Sequence, residues 1–159
     1  MPSASQTPPV TGIPDPAARR HAMARAGQAS PAELLAALAQ AGITPEAEDL
    51  RPAETGLVMV RGRIGGDGRP FNAGEATVTR AAVRLPGGET GFAYHLGRDR
   101  ARARLAAILD AHWQRLEARP ALDAALAAIA ARRAEAARQA ARKAAATRVN
   151  FFTLARGED

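Results

Sequence analysis

Cysteine is absent from the 159 residues, and aromatic side chains are scarce: four Phe, one Trp and one Tyr. Without cysteine the chain cannot form a disulfide, hold an iron–sulfur cluster or a zinc-thiolate site, or use a thiol nucleophile. Because aromatics make up only 4% of the residues, aliphatic side chains must provide nearly all of the core packing. The length is that of one ordinary domain, and the abundance of alanine favours helix.

Lysine is nearly absent as well, since Lys143 is the only one, yet arginine gives the chain a net charge of +6. A basic chain can bind anionic partners, so one hypothesis is a small basic nucleic-acid-binding module that uses residues 121–146. Arginine-rich usage caused by genomic base composition explains the charge equally well. Apart from Phe92 and Tyr94, strand aromatics that could stack on bases are missing, which argues against nucleic acid as the partner.

Long apolar runs are also missing. The longest, residues 121–131, is about half the length that spans a bilayer, and Asp123 interrupts it. Residues 1–10 contain neither a basic residue nor an apolar core, so no signal peptide is evident. We therefore expect a cytoplasmic protein that does not associate with membranes.

The order of the local patterns predicts an α+β fold with an N-terminal helix pair, a three-stranded antiparallel meander and long C-terminal helices. Residues 1–14, rich in Pro and Ser, are expected to be a disordered tail, and residues 15–159 a single domain. Asp15-Pro16 and the capping box that begins at Ser30 mark two helix starts. The first third of the chain is therefore predicted to be a pair of helices.

Period-two patterns predict strands at residues 57–64, 76–85 and 92–96, joined by short Gly-rich loops. No crossover helix separates these strands, so the sheet is predicted to be antiparallel. Helical spacing returns after Asp99, with an apolar face that runs from Leu105 to Leu116. Pro120 then ends that helix or restarts it, and the following helix soon presents mostly alanine.

The residues that could carry chemistry do not form a recognisable active site. The Gly-rich run at residues 62–68 is predicted to be a hairpin turn, because a phosphate-binding loop would have to open onto a helix. The three histidines have no second histidine or carboxylate at metal-ligand spacing, and no serine lies in a nucleophile-elbow pattern. We therefore assign no catalytic residue and no metal ligand.

The start of the third helix breaks a local rule, because residues 97–104 place four arginines at the positive end of the helix dipole. Arg98, Arg100 and His95 are candidate contacts for an anion or an acidic partner surface. His95 alternates with Phe92, Tyr94 and Leu96 and is expected to be accessible. The alternative is a solvated arginine face on which Asp99, as the cap, offsets part of the cost.

The C-terminal end carries the second unusual pattern. Phe151, Phe152, Leu154 and Arg156 follow a helix whose apolar face is mostly alanine, and alanine buries little area per residue. If these side chains face solvent, they form an association patch, so they are candidate partner-interface residues. The alternative is that the segment folds back on the chain's own core, and the residues alone do not separate the two.

Four blocks of sequence then occur together in a fixed order: residues 53–60, 71–85, 91–99 and 147–159. They resemble the G subunit of the carbon–phosphorus lyase machinery, the PhnG family. The resemblance extends over about residues 18–159 and is far more specific than a short motif. The chain departs from the family pattern in its longer N-terminus and in the alanine- and arginine-rich stretch at residues 119–146.

The resemblance implies a cytoplasmic, non-catalytic subunit of a hetero-oligomeric complex that breaks down phosphonates. In that family the G subunit works with the H, I and L subunits to transfer ribose 5-triphosphate from ATP to methylphosphonate, with release of adenine. The J subunit later cleaves the C–P bond, and the I subunit, which carries the nucleosidase chemistry, is the most direct partner. The resemblance further implies that this chain alone binds no cofactor, with ATP and methylphosphonate as substrates of the complex.

Overall fold

The computed structural model describes residues 15–65 and 67–147, which form four helices and one antiparallel sheet with strand order β1-β2-β3. The predicted α+β architecture is therefore confirmed over the described residues. The predicted tail at residues 1–14 lies outside them. The elements, in chain order, are α1 Pro16–Ala26, α2 Pro31–Gln40, β1 Glu48–Gly62, β2 Phe71–Arg84, β3 Thr90–Leu96, α3 Arg100–Trp113 and α4 Arg119–Ala146.

The helix starts follow from local capping. The Asp15 carboxylate accepts hydrogen bonds from the first free backbone N–H groups of α1, at 3.0 and 3.3 Å. Ser30 and Glu33 form the predicted capping box at α2, each side chain bonding the other's backbone N–H. Asp99 accepts from Arg102 N at 2.9 Å at the start of α3. These bonds satisfy donors that have no partner inside the helix.

The first two strands are longer than the sequence pattern predicted. β1 begins at Glu48 instead of residue 57, and β2 begins at Phe71 instead of residue 76. The first half of β1 was not predicted because it contains Pro52, which has no backbone N–H to donate to a neighbouring strand. An edge strand tolerates proline. β1 is an edge strand, and its register with β2 shifts on both sides of Arg51.

The Gly-rich run joins β1 to β2, so the predicted hairpin is confirmed. Gly62 at the end of β1 pairs with Phe71 at the start of β2. The prediction that the first strand continues to Ile64 is wrong, because the strand ends at Gly62 and Ile64 is exposed in the connection.

The core lies between one face of the sheet and the helices. α3 packs across β2 and β3, and its buried face consists largely of alanine with Ile108, Leu109 and Trp113. Trp113 Nε1 donates to Asp123 at 2.7 Å, which ties α3 to α4. The remaining large buried side chains come from every layer: Leu34, Leu38, Val83, Leu85, Leu122 and Leu126.

A buried carboxylate holds α1 and the edge of β3 to this core. Asp110 on α3 accepts two hydrogen bonds from the Arg19 guanidinium, at 2.8 and 2.6 Å, and one from Phe92 N at 2.8 Å. The hydrogen bond to Asp110 is also the main reason that the pKa of Arg19 is raised above its ordinary value. The N–H of Phe92 points away from β2, so Asp110 takes the place of a further strand at this position.

The last two helices differ from the predicted pattern in one respect. α3 ends at Trp113, so Leu116, which the spacing placed on its apolar face, lies beyond the helix and is exposed. Pro120 restarts a helix, since it lies in the first turn of α4. α4 is buried only at its start, through Leu122, Ala125, Leu126 and Ile129. None of the described helices is long and apolar enough to cross a membrane.

Candidate subunit interface

The sheet has one face that no described helix covers, which we call the outer face. Phe92, Tyr94 and Leu96 lie on it, opposite Ala82, Arg80 and Val78 of β2. Their exposed fractions are 57%, 59% and 69%. Single exposed apolar residues are ordinary, but a contiguous apolar patch marks an interaction surface. The outer face is therefore the strongest candidate interface in the described part of the chain.

The side chain of His95 points to the other face of β3, the face that the helices cover. The expectation that His95 is accessible is therefore wrong. Only 8% of this residue is exposed, because the odd-numbered side chains of β3 point at the helices. With its hydrogen on Nε2, the imidazole donates to Asp99 O at 3.1 Å. Its Nδ1 lies 2.7 Å from the Arg102 guanidinium and accepts from it. His95 thus closes the turn between β3 and α3.

The four arginines at the start of α3 form two groups: two are hydrogen-bonded within the chain, and two are exposed. Arg102 also donates to Leu96 O at 2.7 Å, and Arg104 donates to Asp49 at 2.8 Å and to the Ala47 carbonyl at 3.0 Å. These bonds offset the cost of cations near a helix N-terminus. Arg98 and Arg100 are exposed and form no ion pair among the described residues. Their role as anion or partner contacts stays a prediction.

A groove runs along the outer face between β3 and α1. It encloses about 430 Å³ and is lined by Met23, Phe92, Tyr94 and Ala82, with Arg51 and Arg80 at its rim. Both arginines donate to the Glu54 carboxylate, at 2.6 and 2.7 Å. The hydrogen bonds from Arg51 and then Arg80 lower the pKa of Glu54, so this rim stays charged. An apolar floor with a charged rim is the usual composition of a protein interface.

The sheet continues beyond β3 as a ribbon of two strands. β3 pairs with β2 only from Arg84 to Val78, whereas β1 pairs with β2 as far as Phe71. We call residues 57–62 and 71–77 the arm. Large apolar side chains on it are exposed: Leu57, Met59, Val60 and Phe71. The arm therefore exposes apolar side chains past the end of β3, with Val60 on the continuation of the outer face and Leu57 and Met59 on the opposite face.

A second cavity, of about 420 Å³, is lined by residues that include Ile43, Pro86 and Ala118. His112 lines it, and burial is the main cause that lowers the pKa of His112, which favours the neutral ring. The neighbouring Arg115 donates from Nε and from one terminal nitrogen to the two carboxylate oxygens of Glu89, each at 2.8 Å. Among the described residues no group of three histidine or carboxylate side chains could hold a metal ion.

The C-terminal candidates Phe151, Phe152, Leu154 and Arg156 lie outside the described residues, so their role stays a prediction. The helix that leads to them is exposed at nearly every position after Ala130. This half of α4 carries Arg142 and Lys143 near its end.

Comparison with known proteins places the chain. A model of the family described as phosphonate metabolism protein PhnG matches residues 17–157. The chain belongs to the PhnG family. A relative from Rhizobium meliloti (strain 1021), named alpha-D-ribose 1-methylphosphonate 5-triphosphate synthase subunit PhnG, is 48% identical over 159 residues. The match covers 100% of both chains. The resemblance stated from the sequence is confirmed.

For this PhnG-family chain, sequence reasoning placed the exposed apolar residues in strands but did not identify them as a surface. The alternation of Phe92, Tyr94 and Leu96 gave one apolar face, and nothing local shows which face the helices cover. A signal was present in the arm, where Leu57 to Val60 is a continuous apolar run. Such a run is unusual for a hairpin with a solvated face, in which apolar and polar residues alternate.

Proposed function

We propose that this chain is a structural subunit of an alpha-D-ribose 1-methylphosphonate 5-triphosphate synthase in phosphonate catabolism. The family match and the full-length relative of that name support the proposal. In the reaction, the bond between adenine and C1′ of ATP breaks, and an oxygen of methylphosphonate forms the new bond to C1′. Adenine leaves with a proton. ATP and methylphosphonate are substrates of the whole complex, which works in the cytoplasm.

In this proposal the chain contributes surface, and the partner subunits contribute the reacting groups. The single observation that carries it is the uncovered outer face, with Phe92, Tyr94 and Leu96 exposed beside the groove. His95 is hydrogen-bonded to Asp99 O and to Arg102. Because these two side chains are already engaged within the chain, they support the proposal that the partner subunits contribute the reacting groups. The proposed partners are the H, I, J and L subunits, with the I subunit in most direct contact.

Two further sets of residues are proposed as contacts. Phe151, Phe152, Leu154 and Arg156 are proposed partner-interface residues beyond the described chain. Arg98 and Arg100 are proposed contacts to an acidic partner surface, for which their exposure and lack of an ion pair within the described chain give support. His95 supports these arginines indirectly, because its bond to Asp99 O shapes the turn that presents them.

The test is co-expression of this chain with the H, I, J and L subunits, followed by affinity capture and native mass determination in high salt. We expect a stoichiometric complex that releases adenine from ATP and forms the ester of methylphosphonate with C1′ of ribose 5-triphosphate. High salt matters because an apolar interface survives it, whereas nucleic-acid binding weakens steeply. Omission of this chain should abolish or strongly reduce formation of this ester.

Variants then locate the interface. Phe92→Ser with Leu96→Ser should remove the chain from the complex, and so should Phe151→Ala with Phe152→Ala. The matched control is Leu35→Ser with Leu116→Ser, because these two leucines are also exposed but lie away from the sheet. The proposal fails if the chain emerges alone as a monomer, retains nucleic acid at low salt, and has no effect on ester formation by the other subunits.

A further inference from the structure

The arm continues β1 and β2 past the end of β3. Its six strand pairs run from Leu57 with Thr77 to Gly62 with Phe71, a length of about 20 Å at 3.3 Å per residue. β3 ends its pairing at Val78, so the free edge of β2 in the arm has no strand beside it among the described residues. A two-stranded ribbon is only marginally stable in water by itself.

Both faces of the arm carry exposed apolar side chains. Leu57 and Met59 point to one face, with 63% and 53% of each residue exposed, and Val60 points to the other. At the tip the Phe71 ring lies over Gly62, where an added Cβ would be 3.3 Å from the ring. A ribbon that docked flat on a partner would need only one apolar face. Apolar residues on both faces indicate that the partner encloses the arm.

The exposed arginines at the tip of the arm indicate which charge the partner carries. Arg61, Arg63 and Arg69 are exposed, and none of them forms an ion pair within residues 15–65 and 67–147. By contrast, arginines on the rest of the sheet, such as Arg80 and Arg84, have carboxylate partners. Carboxylates at the deep end of a cleft would complement the tip. A second copy of this chain would bring a further net charge of +6.

We propose that the arm inserts into a cleft of a partner subunit, a cleft with apolar walls and carboxylates around its deep end. The apolar walls bury Leu57, Met59 and Val60, and the carboxylates pair with the arginines of the tip. Nucleic acid is the less fitting occupant, because the sides of the arm are apolar and offer no row of cations to a phosphate backbone. The inference rests on the proposed function, since it requires a partner subunit.

The first test compares capture of the partner subunits by matched variants of the full chain. Leu57→Ser with Met59→Ser should weaken capture by about tenfold or more, as expected for central apolar contacts. Leu35→Ser with Leu116→Ser is the control, because those leucines are 48% and 62% exposed and lie outside the arm. The control should bind within about twofold of the wild type.

The second test concerns the charge of the tip. Reversal of Arg61, Arg63 and Arg69 to Glu should abolish capture, because like charges would meet in the cleft. Reversal of Arg20, Arg142 and Lys143 to Glu changes the net charge by the same amount on other surfaces and should leave capture intact. Equal losses in the two charge-reversed proteins would show a net-charge effect and would overturn the proposal.

Photo-crosslinking makes the test independent of variant folding. A benzoylphenylalanine placed at Met59 in the assembled complex should form an adduct with a partner subunit, whereas the same probe at Leu35 should not. Adducts only with a second copy of this chain, or only with nucleic acid, would overturn the proposal. If the wild type captures no partner, the proposed function fails. If all the variants bind as the wild type does, only the assignment of the arm fails.

Discussion

Gly91 at the start of β3 lies so close to α3 that no side chain fits there. A Cβ added at this position would be 2.0 Å from Ala107 O, 2.6 Å from Ala111 N and 2.8 Å from Ala111 Cβ. The nearest two of these atoms belong to the helix backbone and cannot rotate away. We therefore predict that Gly91→Ala forces β3 and α3 apart by about 1 Å, because packed interiors have no free volume to absorb a methyl group.

The expected loss of stability has two parts. Overpacking costs about 1–3 kcal/mol when side chains can adjust, and the upper end applies where backbone must move. The shift also strains the neighbouring hydrogen bond from Phe92 N to Asp110, 2.8 Å long, and a bond to a charged group contributes about 1.5–3 kcal/mol. A total of about 4.5–6 kcal/mol corresponds to a fall in Tm of about 9–24 °C for a chain of this size.

Thermal and urea unfolding of the purified full chain, followed by circular dichroism, measure this loss. Gly56→Ala is the matched control, since Gly56 lies in β1 of the same sheet and its Cβ would meet nothing within 4 Å. That variant should unfold within about 1 kcal/mol of the wild type. Gly91→Ala should also weaken partner capture, because Phe92 follows it directly. If both glycine variants melt together, the close approach of β3 to α3 is wrong.

Three further predictions concern single contacts. Asp110→Ala leaves Arg19 and the Phe92 N–H without their partner and should lower the free energy of unfolding by about 2–3 kcal/mol in urea; a double-mutant cycle with Arg19→Ala that shows no coupling would contradict this. Ser30→Ala removes the cap of α2 and should cost about 1 kcal/mol in the same assay, and an unchanged midpoint would show that the cap contributes nothing. Burial holds the pKa of His112 below its ordinary value, so below about pH 6.5 His112 is protonated more readily in the unfolded chain than in the native chain. The free energy of unfolding therefore decreases as the pH is lowered. His112→Gln removes this effect, so urea unfolding at about pH 5.5 and about pH 7.5 should show the variant relatively more stable at the lower pH; a constant difference would refute the assignment.

Local chemistry made the helix starts and the hairpin predictable. A capping residue such as Asp15 or Ser30 acts on N–H groups two or three residues away, so the sequence contains both partners. The Gly-rich run could be assigned to a turn for the same reason, since the strand that follows it excludes a phosphate-binding loop. The family also followed from sequence, because long ordered blocks match it over most of the chain.

The first part of β1 could not be predicted, because it forms by pairing with residues that are distant in the sequence. Residues 48–56 contain Pro52 and several charged side chains, and they became strand only because β2 lies beside them. β-propensity depends on such neighbours more than on the residue itself. The same cause misplaced the end of the first strand, because Ile64 has high β-propensity but no residue of β2 to pair with.

The candidate interface, too, was only partly predictable from the sequence. The sequence by itself determined which residues share a face of β3, because alternation is a property of one strand: Phe92, Tyr94 and Leu96 on one side, His95 on the other. Only the tertiary structure decided which side the helices cover. α3 has a small, alanine-rich face that fits closely against Gly91 and Ala93, and this packing buries His95 and leaves the aromatic side exposed. Burial depends on what another element presents at that point, and no pattern within a single strand contains that information.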